Sequence, residues 1–152
     1  MMAPRAAIDP IDIAECLPFI SLFRFDRDRK DFVCTLSGEE NSAAWGGASL
    51  VGRRHADFLD CASADAFLLR AQIMMETPAL AIGSSVLARK GEPDRRRRVR
   101  RLSLPLADSE GSPWGLISIS NFGPAAPMKG TMAPAPSETV MFDCRVLPRD
   151  DP

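Results

Sequence analysis

The chain has 152 residues and a single histidine, His55, and that one count sets the first limit on its chemistry. One imidazole cannot supply a two-histidine metal site, an HExxH pair or a Cys2His2 finger within one chain. Any Ser-His-Asp or Cys-His nucleophile must run through His55. The four cysteines, Cys16, Cys34, Cys61 and Cys144, contain no CxxC spacing. They therefore predict neither a zinc ribbon nor a thioredoxin-type redox pair, but free, mostly buried thiols. Carboxylates are scattered, with no pair placed for acid–base work. Gly46-Gly47 has no phosphate-loop or dinucleotide context. No catalytic residue and no metal site are predicted, and the chain reads as a non-enzyme. Met1–Pro10 lacks a basic-then-apolar leader, and no apolar run reaches the ~18 residues of a membrane span. Both point to a cytoplasmic protein with no membrane insertion.

The arginines are the conspicuous charge feature: Arg95–Arg98, then Arg100 and Arg101. One reading is a basic patch for nucleic acid or an acidic protein. The other, preferred because the cluster sits near the turn, is a solvated hairpin end where Glu92, Asp94 and the Asp26–Asp31 stretch can neutralise it. Within the first reading, the net charge of −1 favours an acidic protein over DNA. On a strand, Arg96, Arg98 and Arg100 share one face with Leu102 and Leu104. Arg95, Arg97 and Arg101 take the other. Trp45 is expected to pack inside, Trp114 to lie half-exposed in a turn, and Met74-Met75 to fill core.

These residues need elements to carry them. A length of 152 and a composition 45% hydrophobic and 26% charged fit one globular domain with tails. Asp9-Pro10 predicts a capped helix over Pro10–Leu17. Phe19–Phe25 reads as a strand, apolar on both faces and therefore covered on both. A charged loop, Asp26–Asp31, leads to a return strand, Phe32–Ser37, with Phe32, Cys34 and Leu36 on one face. Short helical pieces follow over Glu39–Trp45 and Arg53–Asp60. A longer helix, capped by Ser63, runs from Ala64 to about Glu76 and stops at Pro78. Three strands complete the domain: Ala79–Arg89, Arg95–Leu106 and Gly115–Phe122. This is an α+β domain on a five-stranded antiparallel sheet, with a helical insertion between strands 2 and 3 and an N-terminal helix. Its parts are residues 1–18 as a cap segment, 19–122 as the domain, and 123–152 as a Pro-rich linker and tail with a candidate added strand over 138–147.

That element order, with several local stretches, resembles the PAS domain, and within it the PAS-5-type single-domain proteins of alphaproteobacteria. The stretches are Arg5-Ala6-Ala7-Ile8-Asp9-Pro10-Ile11-Asp12-Ile13 with Leu17-Pro18, Leu36-Ser37-Gly38, Leu50-Val51-Gly52-Arg53, and Arg101-Leu102-Ser103-Leu104-Pro105-Leu106 ahead of Gly111. The resemblance covers about residues 5–122. It implies a bacterial sensory or docking module that self-associates and meets a signalling protein such as a histidine kinase. A cavity between sheet and helices is implied as well, with Cys34, Leu36, Trp45, Phe58, Phe67 and Gly83 as its candidate lining. Haem-binding members carry a histidine on the long helix, and Ala64–Glu76 has none. Flavin-adduct members carry an Asn-Cys-Arg-type sequence, and Cys61 sits in Asp60-Cys61-Ala62-Ser63. No haem or flavin is therefore expected. Phe19, Leu22, Arg96, Arg98 and Trp114 are the candidate interaction residues. The alternatives are a small-molecule sensor with an apolar cavity ligand, and a nucleic-acid binder through Arg95–Arg101.

Overall fold

A computed structural model describes residues 2–127 and 138–144. The strands are β1 (Ala3–Pro4), β2 (Ile20–Asp26), β3 (Asp31–Ser37), β4 (Ala79–Arg89), β5 (Glu92–Ala107), β6 (Pro113–Pro127) and β7 (Glu138–Asp143). The α-helices are α1 (Glu39–Ala44) and α2 (Cys61–Glu76). The fold is α+β, and its sheet runs β3-β2-β6-β5-β4-β7, antiparallel throughout, with β1 added in parallel to β5. The five expected strands are β2 to β6. The described sheet has seven, because β1 and β7 join it.

Turn chemistry explains the hairpins. Asp26 Oδ1 accepts from the backbone N–H groups of Asp28 and Arg29, closing the loop before β3. Lys90-Gly91 links β4 to β5, with Gly91 at φ 84°, a conformation open to glycine. Asp108 Oδ1 accepts from Glu110 and Ser112 N–H, closing the loop before β6.

The sequence reading is corrected at several points. Pro10–Leu17 is not an α-helix. Asp9 Oδ1 accepts from Ile11 N–H in a local turn, and a 3-10 helix follows over Ala14–Phe19, containing Pro18. A ring that cannot donate an N–H suits short turns better than an α-helix. Arg53–Asp60 contains only a 3-10 turn, His55–Asp57. The cap of α2 is Asp60, whose side chain accepts from Ser63 N–H, so α2 starts at Cys61. Strand β6 continues through residues 124–127, where a linker was expected. The rest of that linker, 128–137, and the end of the tail lie outside the described residues. Glu138–Asp143 pairs antiparallel with β4.

The helices lie on one face of the sheet. Phe23, Phe32, Trp45, Phe58, Phe67, Met74 and Met75 fill that layer, with Val99 and Leu116 from the sheet. A smaller cluster of Ile20, Leu106 and Ile117 lies on the opposite face, under Ile8 and Ile13 of the N-terminal segment.

Candidate ligand cavity and outer sheet face

Strands β5 and β6 face the reverse of what their patterns suggest at first sight. Leu102, Leu104, Ile117 and Ile119 are the aliphatic members of each alternation. They point away from the helices, beside Ile20 and Leu106. The residues between them face the helix layer: Arg101, Ser103, Ser118 and Ser120. Ser103 and Ser118 are buried, and their hydroxyls lie 2.8 Å apart. Arg101 Nε donates to Ser120 Oγ at 2.9 Å. Packing a polar sheet face against a helix forgoes apolar burial worth ~25 cal/mol per Å², so a purely structural layer has no need of it.

Between this face and α2 lies a cavity of about 40 Å³. Its polar wall is Arg70 from α2, Ser85 from β4, Arg101 and Ser103 from β5, and Thr139 from β7. Phe67, Ala71, Met74, Ala81, Gly83 and Leu116 complete it. Gly83 is required here, because a Cβ would lie 2.6 Å from both the Glu138 carbonyl oxygen and the Thr139 hydroxyl of β7. The Arg101 guanidinium also stacks 5.7 Å from the Phe67 ring. Burial, with the charge of Arg70 beside it, pulls the Arg101 pKa down to about 10. Arg70 is lowered too, by burial.

His55 stands behind this wall, buried, at the start of the 3-10 turn His55–Asp57. Its ring stacks on Phe67 with centroids 3.4 Å apart, and Phe23 and Phe58 flank it at 4.5 and 5.2 Å. Its Nδ1 has no hydrogen-bond partner among the described residues. Burial first, then the charges of Arg101 and Arg70, hold its pKa well below the ordinary 6.5, so the imidazole is neutral.

The expected cavity residues separate. Phe67 and Gly83 line the cavity. Cys34, Trp45 and Phe58 pack in the closed core instead. The Cys34 thiol is pushed up to about 11 by burial and keeps its proton. Leu36 is not an inner-face residue. A bulge between the Leu22–Leu36 and Phe23–Cys34 pairs turns it to the other side, where it is 38% exposed. Arg70 and the serines went unassigned in the sequence, and Arg101 was read as part of the basic run. Their one signal was strict Leu/Ile–Ser alternation, which fixes two faces without saying which meets the helices.

On the outer face, the N-terminal segment and the sheet enclose a groove of about 620 Å³. Ile8, Ile13, Leu22, Leu36 and Trp114 line it, with the Arg5 guanidinium 4.8 Å from the Trp114 ring. Beyond it the register aligns one aliphatic residue from each of five strands: Ile20, Ile119, Leu102, Ile82 and Val140. Ile82, Val140 and the neighbouring Phe142 are 49%, 58% and 46% exposed. Of the other interaction candidates, Phe19 ends the 3-10 helix half-exposed, Arg96 is partly buried and Arg98 exposed. The basic run is divided: Arg95 pairs with Glu92, which also meets Arg89, while Arg101 turns inward.

Among the described residues no group of three or more His, Cys, Asp or Glu lies close enough to hold a metal ion. No described helix is long and apolar enough to cross a membrane. No family model matches the chain, and no curated protein matches it. Solved structures do. A Vibrio cholerae VqmA dimer, a LuxR-type receptor in the absence of its target DNA, matches with TM-score 0.57 at 15% identity over 76% of this chain and 52% of VqmA. A VqmA–ligand–DNA complex matches with TM-score 0.54 at 16% identity, over 74% and 49%. VqmA bound to DPO matches with TM-score 0.56 at 15% identity, over 74% and 56%. The chain thus spans about half the length of the solved chains it is similar to, and what it shares with them is their fold.

Proposed function

We propose that the chain is a PAS-type sensory module, non-catalytic and cytoplasmic. It binds a small polar ligand between sheet and helices and reads it out by association through the outer sheet face. One observation carries this: the serine and arginine face of β5 and β6 looks inward onto a cavity, while their aliphatic face looks outward. A fold serving only its own stability favours the opposite arrangement. The likeness to VqmA, solved as a dimer and in complex with a ligand, supports a module that both associates and binds a ligand. A cavity of about 40 Å³ is far below the ~300 Å³ or more of a drug-sized pocket, so the reading involves neither haem nor flavin. The partner at the outer face is a second copy, and a signalling protein such as a histidine kinase is the further partner the sequence resemblance implies. Apolar patches this exposed are typical of interaction sites. The polar cavity wall favours a polar ligand over the apolar one of the alternative sensor reading.

Native mass spectrometry of the freshly purified chain tests both halves. The expected species is a dimer carrying a small added mass. Val140→Glu, which places a charge in the exposed aliphatic row, is expected to weaken the dimer at least tenfold, about 1.4 kcal/mol, with unchanged circular dichroism. A wild-type monomer at high concentration contradicts the association.

A further inference from the structure

We infer that β7 is a detachable strap: docked on β4 it closes the cavity and completes the outer aliphatic row, and released it undoes both. This deepens the sensory reading above, whose ligand and dimer it links, and rests on it. Among the described strands β7 pairs with β4 alone. Its six residues, Glu138–Asp143, alternate between exposed and half-buried, and none is buried. Strand β4, by contrast, buries Ala79, Ala81, Leu87 and Ala88. A strand with one paired edge and little buried surface belongs to the low-stability end of a fold, where local opening comes before global unfolding.

The strap has two working sides. Thr139 forms part of the cavity wall, and Met141 packs against the main core. Val140 and Phe142 stand 58% and 46% exposed on the outer face, where Val140 ends the row that includes Ile82. Successive strand residues point to opposite faces, so one docking event places both sets. The seat is specific. Gly83 pairs with Thr139, and a Cβ there would come within 2.6 Å of the Glu138 carbonyl oxygen and 3.0 Å of the Thr139 Cα, both backbone atoms. The ladder runs on past β7, with Cys144 N–H donating to the Pro78 carbonyl at 2.9 Å. A guest that touches Thr139 meets a complete wall only when β7 is docked. It therefore favours the docked state, and the docked state presents the row that a second copy covers. By linkage, association tightens the hold on the guest by the same factor.

The test is amide hydrogen exchange with native mass spectrometry on the full chain, with Gly83→Ala as the variant. In an extended strand a glycine-to-alanine change is ordinarily neutral or stabilising. Here the added methyl displaces β7. In the wild type, β7 amides are expected to exchange at least tenfold faster than those of β5 and β6. In Gly83→Ala, β7 is expected to lose its remaining protection while β5, β6 and α2 keep theirs. The dimer is expected to weaken at least tenfold, although residue 83 faces the cavity and not the outer face. Met141→Ala, which loosens β7 from the inside, serves as the second variant should Gly83→Ala fail to fold. A wild-type β7 protected as strongly as β5 and β6 overturns the strap and leaves the sensory reading standing. Unchanged β7 exchange in folded Gly83→Ala overturns the seat. A released β7 with an undiminished dimer overturns the link. A wild-type chain that stays monomeric at high concentration overturns the association reading itself, and the link with it.

Discussion

Phe67→Ala is expected to destabilise the fold by about 3–5 kcal/mol, the range for removing a buried aromatic ring. Phe67 projects from α2 into the centre of the helix layer. It stacks on His55 at 3.4 Å, meets Phe23 at 5.4 Å and takes the edge of Phe32 at 6.0 Å. The Arg101 guanidinium lies 5.7 Å from the centroid of the same ring. Truncation to Ala removes all four contacts at once. The hole it leaves joins the ligand cavity, and the neighbours cannot collapse into it without carrying a guanidinium with them. At ~2–4 °C per kcal/mol for a chain of this size, the melting temperature falls by about 10 °C. Phe67→Leu keeps most of the volume and is expected to lose less than half as much. Urea unfolding of both variants checks the order. Equal losses would contradict the part assigned to the cavity, because both variants lose the ring and only Phe67→Ala loses most of the volume.

Stability is expected to fall as pH drops below 6.5. His55 is neutral in the folded chain because burial excludes its charged form, and Arg101 of β5 and Arg70 of α2 add repulsion. In the unfolded chain the imidazole titrates near its ordinary 6.5. Below that pH the unfolded state binds a proton that the folded state refuses, so stability rises with pH and is lost on acidification. Between the folded pKa and the ordinary 6.5 the slope approaches ~1.4 kcal/mol per pH unit. Asp57 contributes in the same direction only below its ordinary 3.8, since its hydrogen bond from the Arg54 N–H holds it lower still. The window between pH 6.5 and 5 therefore belongs to His55. Urea midpoints for wild type and His55→Gln at pH 7 and pH 5 measure it. The wild type should lose stability and the variant should not. Parallel curves would contradict a buried neutral imidazole.

Much of the fold was legible because local rules and tertiary packing agree along most of the chain. Ala79–Arg89 was read with the same limits it has in the structure, since Pro78 and the Lys90-Gly91 turn punctuate it chemically. Gly52-Arg53 belongs to one of the stretches that carry the resemblance, and it makes a tight turn. Gly52 sits at φ 82°, and the Arg53 guanidinium donates to the Asp57 carbonyl at 2.7 Å. Failures arose where one residue of offset decides the outcome. The bulge in β3 reverses Leu36, and no residue type there announces it. Asp60 caps α2 although Ser63, three residues on, is an equally good cap by composition. The cavity was the least visible part. A strand such as Arg101–Leu106 offers a leucine face and a polar face, and ordinary expectation buries the leucines. Here the serines and Arg101 go in, and only the packing of α2 over that face reveals it. The burial of His55 was hidden for a similar reason: a histidine between Arg54 and Asp57 looks solvated until its ring is seen against Phe67.

The central claim is that the inward polar face is a ligand site and the outward aliphatic face is not. A ¹H–¹⁵N correlation spectrum of the full chain, recorded as purified and again after unfolding, dialysis and refolding, tests it most directly. The account predicts that the largest differences cluster at the cavity-lining residues of α2, β4 and β5, Phe67, Ala71, Gly83 and Ser103 among them. Differences confined to the outer groove, or identical spectra, would contradict it.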